Sequence, residues 1–302
     1  MDFYFPLLFL VPGFEGPAID CPPFRLARRK WETSPFDLAT LATRHKLHLP
    51  YQSMDVFLSS CNMELCVQGK TTVIEAIDAL NTLRVALYAS GVSPFLCPFA
   101  TTHSINEYSG INSRDSETLR AKMYPGMEVG LKSDADTLEA WPFELSFQCA
   151  LVDEGALRVT ADAFVESVGK AERLGMVLLR TPQLTAVLSA TIAAPTLGHL
   201  GQSLLHVWSA VEALFPTVNS ELSFRLALYL AQLNEQGSKR QDYYDTVRSA
   251  YAIRSKVAHG SKANVSTEEW QQGWKILMDS INALHRRNAL PSEQELLAEL
   301  LS

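Results

Sequence analysis

The segment 251–260, which reads YAIRSKVAHG, places an arginine and a histidine five positions apart near the end of a predicted helix. The imidazole of His259 can exchange protons near neutral pH, as general acid–base catalysis requires. The guanidinium of Arg254 stays charged and offers a fixed fork of donors that suits a phosphate. Together, these residue types indicate proton transfer beside a stabilised phosphate.

The spacing of the pair raises a geometric problem. On an ideal helix, five steps put the two side chains about 140° apart, so they do not share a face as residues four apart do. Either His259 lies where the helix ends before Gly260, or a second chain completes the pair. The spacing alone is also explained by a solvated arginine and a histidine that the helix dipole favours at a C-terminus.

Two upstream segments add a more specific pattern. The run LLHVWSAVEALF covers 204–215, and ELSFRLALYLA covers 221–231. In this order, and followed by DTVRSAYAIRSKVAHG at 245–260, they resemble the Apea-like group of HEPN domains. That group shows a helix with Ala-x-Glu-Ala-Leu, a helix beginning Leu-Ser-x-Arg-Leu-Ala, and a helix ending Tyr-x-x-Arg-Ser-x-x-x-His-Gly. The resemblance covers about residues 165–290, the C-terminal half only.

The resemblance implies a helical bundle that pairs into a homodimer. Many HEPN proteins are metal-independent ribonucleases, often toxins or effectors of defence against phage, and some act with an antitoxin or another regulatory partner. The family's Arg-x4-6-His motif maps onto Arg254 and His259, and in the family two copies of the motif meet in one cleft across the dimer. RNA would be cut by attack of its own 2′-OH, with no metal and no cofactor, so DNA would be spared.

Four further residues are candidate supporting groups. Glu212 matches a position whose acid can orient the motif arginine, although a surface carboxylate explains it equally well. Lys256 could add phosphate binding, and Tyr251 fits either packing or support of the site. Ser255 is usual in the Apea-like group, but many active HEPN nucleases carry an amide or acidic residue there. A catalytically inactive HEPN module for dimerisation or for binding RNA or a ligand is therefore the alternative, and a purely structural helical dimer is a third.

The charge distribution limits the kind of RNA binding to expect. The net charge is −7, which excludes a broad basic surface and strong non-specific binding of nucleic acid. Residues 1–159 hold 13 Lys and Arg against 19 Asp and Glu, whereas residues 160–302 hold 13 against 14. The acidic excess therefore belongs to the first half, and a local positive cleft in the second half is compatible with the total.

Composition also predicts where the protein is located in the cell and whether its cysteines are reduced. The five cysteines are scattered in the first half, which indicates reduced, mostly buried thiols rather than a disulfide framework. The apolar start carries Asp2, Pro6 and Pro12, so it predicts a buried strand and not a signal peptide. With no apolar run long enough to cross a membrane, we expect a cytoplasmic protein with no membrane partner.

Periodicity divides the chain into an α+β domain at 1–155 and an all-α bundle at 160–302. The resemblance implies that the bundle is HEPN-like, and that the first domain, of unknown family, has a sensory, regulatory or substrate-selecting role. In the first part we expect a strand at the start, an irregular 13–50 with one short helix near 35–43, a hairpin at 54–67, a helix at 71–89 and a strand at 142–152. His206 is predicted to be a core or interface histidine, and the tryptophans of the second part to be core or dimer interface. The predicted helices of the second part lie near 161–180, 184–193, 198–215, 219–236, 240–257, 267–288 and 292–301.

Overall fold

A computed structural model describes residues 1–31, 35–44, 51–104, 140–142, 157–218 and 220–301. The fold is α+β, with a mainly antiparallel sheet near the N-terminus and a helical C-terminal part, as the sequence predicts. The strands are β1 (Phe3–Leu7), β2 (Val11–Pro12), β3 (Ala18–Cys21), β4 (Phe24–Arg28), β5 (Met63–Val67), β6 (Phe99–Thr101), β7 (Ala140–Pro142) and β8 (Arg158–Val159). The helices are α1 (Pro35–Arg44), α2 (Tyr51–Ser60), α3 (Val73–Ala89), α4 (Ala161–Arg180), α5 (Leu184–Ala193), α6 (Leu200–Glu212), α7 (Leu222–Asn234), α8 (Lys239–Ala258), α9 (Thr267–Arg287) and α10 (Glu293–Leu301).

The chain forms two compact units that are not two consecutive stretches. Among the described residues, the first unit holds 1–80, 92–142 and 157–168, and the second holds 81–91 and 169–301. The division falls within α3, so the end of that helix belongs to the helical unit. No pattern in the sequence indicates that the end of α3 joins the helical unit, and the assignment of 1–155 and 160–302 as domains stays a prediction.

The first unit is built on a six-stranded sheet with the order β3-β4-β5-β1-β6-β7, in which all neighbours are antiparallel. All five residues of β5 are buried, as expected for a strand covered on both faces. A separate parallel pair joins β2 to β8. The opening strand is confirmed, and the strand predicted at 142–152 is described only to Pro142.

Two predictions for the first unit are wrong. The predicted hairpin at 54–67 is the helix α2 followed by the strand β5. Met54, Phe57, Leu58 and Cys61 are buried in one core cluster, and this spacing of three to four residues is the helical period. The stretch 13–50 is also less irregular than predicted: the helix near 35–43 is present as α1, but β3 and β4 form a hairpin.

The buried thiols are as the composition predicts. Cys21, Cys61, Cys66 and Cys97 are free, and all but Cys21 are buried, while Cys149 lies outside the described residues. Burial, with the charge of Glu64 adding to it, raises the pKa of the Cys61 thiol to about 12. Burial likewise raises the pKa of Cys66 to about 12. These thiols are therefore poor nucleophiles in the folded chain.

The second unit is helical throughout its longer segment, and all seven predicted helices are confirmed to within a few residues. Helix α6 packs against α5, α8 and α9. Trp208 and Trp270 are fully buried, and Trp270 stacks on Trp274 and donates from Nε1 to Ser203 Oγ at 2.6 Å. The tryptophans therefore belong to the core, as predicted.

Helix ends of the second unit follow the sequence signals closely. The sequence S-x-x-E over 292–295 places Ser292 three residues before Glu295, the pattern of a capping box. The box is present at the start of α10, with reciprocal bonds between each backbone N–H and the other's side chain. A second capping box, which the sequence analysis does not predict, joins Ser266 and Glu269 at the start of α9.

Candidate functional site

Helix α8 ends in a tightly closed turn at His259. Gly260 has a positive φ of 70°, the N–H of Ser261 donates to Lys256 O at 2.9 Å, and the N–H of Gly260 donates to Val257 O at 3.1 Å. This bond pattern is the Schellman motif, for which a glycine in that position is favoured. His259 itself has φ −92° and ψ 7°, so its backbone lies where the helix ends. This is the first of the two explanations given above for the spacing of Arg254 and His259.

Arg254, one turn earlier on α8, is held by Glu212 at the end of α6. Its Nη2 lies 2.9 Å from Oε1 and 3.1 Å from Oε2 of that carboxylate. The two side chains are 23% and 25% exposed, so the pair lies at the edge of the protein interior. Nη1 of Arg254 makes no hydrogen bond within the described part of the chain. The arginine is thus fixed through one nitrogen while another remains available to a ligand.

The ring of Tyr251 packs against the guanidinium of Arg254. The Arg254 guanidinium carbon lies 5.4 Å from the centre of the Tyr251 ring, within the range of a cation–π contact. The ring is buried and meets Trp208 edge to face, with centroids 5.2 Å apart. Burial, and next the negative charge of Glu212, raise the pKa of the Tyr251 phenol, so it stays protonated at neutral pH. We assign Tyr251 to packing and positioning rather than to proton transfer.

The remaining predicted residues lie at the end of α8. Lys256 and His259 are exposed, and Ser255 is half-buried. The Ser255 carbonyl accepts the backbone N–H of His259 at 3.0 Å, which holds the histidine backbone. No side-chain hydrogen bond of His259 occurs among the residues that the structure describes.

The predicted residues therefore form two groups. Glu212, Tyr251 and Arg254 contact one another, whereas Lys256 and His259 point to solvent at the helix end. In the described ranges no contact within the chain joins Arg254 to His259, so a single protomer does not bring these two side chains together.

The structure adds one polar residue that sequence reasoning missed. His199 precedes α6, and its Nδ1 accepts the N–H of Gly201 at 3.3 Å. A Cβ on Gly201 would lie 3.3 Å from that Nδ1 and 3.5 Å from Val257 Cγ1. The exposed His199 therefore lies beside the last turn of α8. No sequence signal could find it, because the two segments meet only through the packing of α6 on α8.

One half of the His206 prediction is wrong. His206 is exposed on α6, so it is not a core residue, and its place in a dimer interface stays a prediction. The reason is its register: Val207 and Trp208 next to it face the interior, and His206 lies on the opposite face of the helix.

The residues that the structure describes hold neither a metal-binding cluster nor a membrane-spanning helix. They contain no group of three or more His, Cys, Asp and Glu side chains arranged to hold a metal ion. Among the helices of the described ranges, none is both long and apolar enough to cross a membrane.

Comparison with known proteins finds no protein family, no curated protein and no solved structure that matches this chain. The HEPN resemblance therefore rests on the residues quoted above and stays a prediction.

Proposed function

We propose that the chain is a metal-independent endoribonuclease that acts in the cytoplasm as a toxin or an effector of defence against phage. Its active site is formed across a homodimer, where two copies of Arg254 and His259 face one cleft. The N-terminal unit selects the substrate or senses the trigger, and an antitoxin or other regulatory partner restrains the enzyme. The single observation that carries this proposal is an arginine fixed by Glu212 with one terminal nitrogen unpaired, on the same helix as an exposed histidine at the closed helix end.

The reaction follows from the chemistry of those two side chains. The 2′-oxygen of RNA attacks the neighbouring phosphorus and forms a bond to it, while the bond from phosphorus to the 5′-oxygen breaks. His259 of one protomer takes the proton of the 2′-OH, and His259 of the other protomer gives a proton to the leaving 5′-oxygen. Arg254 stabilises the extra negative charge of the phosphorane, and such preorganised charge is usually the largest catalytic contribution. The products carry a 2′,3′-cyclic phosphate and a 5′-hydroxyl.

Cleavage of labelled RNA in the presence of EDTA tests the proposal directly. We expect the wild-type protein to cut RNA but not the matching DNA, and Arg254→Ala and His259→Ala each to lose at least about a hundredfold in rate. Arg286→Ala removes an exposed arginine from the last turn of α9 and is the matched control, which should cut normally.

Three results would contradict the nuclease. They are an absence of cleavage across varied RNAs, equal rates for the wild-type protein and both variants, and cleavage that EDTA abolishes. A monomer by sedimentation at working concentration would contradict the composite site even if cleavage occurred. Retained RNA binding without cleavage would instead support the inactive HEPN module.

A further inference from the structure

A groove of about 360 Å³ opens on the second unit between α7, α8 and the end of α10. Its walls include Phe224 and Leu228 from α7, Arg240 and Tyr244 from α8, and Leu300 from α10. The proposed reaction uses none of these residues. The groove is mainly apolar with an arginine at its edge, and this combination suits a flat aromatic ligand that carries negative charge.

Two aromatic rings form one side of the groove. Phe224 is 49% exposed although it is a large apolar side chain, and its ring meets that of Tyr244 at 6.2 Å with an interplanar angle of 79°. Arg248, exposed and one turn further along α8, places its guanidinium carbon 5.7 Å from the centre of the Tyr244 ring. A ring and an arginine in this arrangement are what proteins use to stack a base and hold its phosphate.

The groove continues onto an exposed face of α8 that leads to His259. At about 100° per residue, Tyr244, Arg248, Ser255 and His259 fall within about 60° of one another around the helix. Arg248 and His259 are exposed and Ser255 is half-buried, whereas Tyr251, next to this face on the same count, is buried against Trp208. At 1.5 Å per residue, Tyr244 and His259 are about 22 Å apart along the axis. We call the groove together with this face the α8 track.

The charge of α8 differs from that of the whole chain. The helix holds five Lys and Arg against two Asp, although the protein carries −7 overall. Arg254 is paired with Glu212, but Arg240 lines the groove and Arg248 lies over the Tyr244 ring. Two arginines beside the rings attract a polyanion to this place rather than to the whole surface of an acidic protein. This charge complementarity, together with the two rings, favours a nucleic acid over an apolar partner helix as the occupant.

We propose that the α8 track binds single-stranded RNA, with a base stacked on the face of the Tyr244 ring and in contact with Phe224 and a phosphate on Arg248, and that it leads the strand towards His259. Bases of a duplex are already stacked and paired, so only an unpaired base can enter the groove. This proposal rests on the proposed nuclease for its substrate class. It adds a subsite distant from the reacting bond, so it concerns affinity and choice of substrate rather than chemistry.

Fluorescence anisotropy tests the α8 track through binding alone, in EDTA and in the full-length protein. The probes are a fluorescein-labelled single-stranded RNA and the same RNA annealed to its complement. We expect Tyr244→Leu to weaken binding of the single strand about tenfold, because stacking on one base contributes that much, while Tyr244→Phe keeps the ring and binds normally. Arg248→Ala should reduce the slope of log affinity against log salt by about 0.7, because one phosphate contact is lost.

Arg173→Ala is the matched control, since it removes an exposed arginine from α4 and should leave affinity and slope unchanged. Thermal unfolding of each variant checks that the fold is intact. The proposal is overturned if the variants bind like the wild type, if the wild type binds no RNA, or if duplex and single strand bind equally. It is also overturned if Phe224→Ser converts a dimer to a monomer without changing RNA affinity, because the groove would then be an interface between two copies of this chain.

The outcome is separable from that of the nuclease. A protein that binds RNA through Tyr244 and Arg248 yet does not cut it contradicts the proposed reaction and keeps the α8 track. A protein that cuts RNA with an affinity unaffected by both variants keeps the reaction and contradicts the α8 track.

Discussion

At the scale of single residues, the main feature is that Arg254 is held by a carboxylate from another helix. Glu212 lies at the end of α6 and fixes the guanidinium through Nη2, while the Tyr251 ring covers one face of it. A side chain held on two sides loses little further freedom when it binds a phosphate, and this is the benefit of preorganisation. Glu212 therefore acts on the site through Arg254, as a positioning residue.

Glu212→Gln tests this positioning in two ways. Because the variant removes a charge-assisted bond to Arg254, we expect the rate of RNA cleavage to fall about tenfold or more. The negative charge of Glu212 also raises the pKa of Tyr251, so the variant should lower that pKa. Burial is the larger cause of the raised pKa, so the phenol should still titrate above its ordinary value of 10.0.

Ultraviolet difference titration of tyrosine, together with the cleavage assay, measures both effects. Glu172→Gln is a suitable control, because Glu172 is an exposed carboxylate on α4. An unchanged titration of Tyr251 in Glu212→Gln would show that the carboxylate does not act on this cluster.

The sequence could supply the residues of the candidate site but not their arrangement. Arg254 and His259 follow from their types and spacing, and Glu212 follows from its place in the resemblance. The contact between Glu212 and Arg254 joins positions 42 residues apart, so it depends on how α6 packs on α8. His199 comes close to the end of α8 for the same reason, and no local pattern indicates that contact.

At the scale of elements, two helices of the second unit, α9 and α10, begin with a capping box. Ser266 accepts the N–H of Glu269, whose carboxylate accepts the N–H of Ser266 and pairs with Lys262 at 3.0 Å. These bonds lower the pKa of Glu269, with the backbone bond from Ser266 as the largest cause and the Lys262 contact next.

We expect Ser266→Ala to lower the free energy of unfolding by about 1 kcal/mol, the usual cost of losing an N-cap. Glu269→Gln should destabilise the protein at neutral pH and have less effect in acid. The folded-state pKa of Glu269 is below its ordinary 4.5, so its contribution is present above that pH and is lost as the pH falls through the folded value. Urea unfolding at several pH values measures this, and a difference between wild type and Glu269→Gln that is the same at all pH values would argue against the assignment.

The contact of α6 with α9 depends on a glycine. A Cβ on Gly273 would lie 2.9 Å from Leu204 Cδ1, and Leu204 is fully buried, so it has little room to move. Gly175 on α4 has open space where its Cβ would be. Both glycines are inside helices, so they share the same propensity gain of up to about 1 kcal/mol on change to alanine.

The two glycines therefore predict opposite outcomes. Gly175→Ala should raise the melting temperature, because only the propensity gain applies. Gly273→Ala should lower the free energy of unfolding by about 1 kcal/mol, because overpacking at Leu204 exceeds that gain. Differential scanning calorimetry of the two variants distinguishes them, and a similar rise for both would mean that α6 and α9 are less closely packed than described.

Helices of the second unit are predictable because most have apolar residues at helical spacing, and several have a clear start or stop signal. The first unit was harder for a physical reason. Strands such as β5 are buried on both faces and so lack alternation, and the same short apolar runs fit a helix or a strand. In the stretch 54–67 both occur in succession, and the sequence did not show where one ends.

At the scale of the whole molecule, the helical unit is discontinuous in sequence. Residues 81–91 contribute Tyr88, whose ring lies 5.7 Å from that of Trp274, and Ala89, whose carbonyl accepts from Asn282 Nδ2 at 2.7 Å. Lys170 donates to Ser90 in the same region. A unit defined by 160–302 alone would therefore leave a large aromatic side chain and several polar groups uncovered.

A fragment of residues 160–302 should consequently unfold at a lower temperature than the same fragment with residues 81–91 joined to it by a flexible linker. The reason is the apolar surface that the short segment covers, and the difference should appear together with binding of a hydrophobic dye by the shorter fragment. Joining a scrambled 81–91 segment is the control. If the shorter fragment is as stable and as cooperative as the longer one, the end of α3 contributes little to the helical unit.

The closed end of α8 has a consequence for how this protein can change over generations. The turn is held by backbone bonds to Lys256 and Val257 and by the positive φ of Gly260, and the imidazole of His259 contributes nothing to it. Many residues could therefore replace His259 without loss of folding. A lineage could lose or regain the proposed chemistry through a single codon while it keeps an intact fold. Active enzymes and inactive descendants would then differ at this exposed position, with no change in the core.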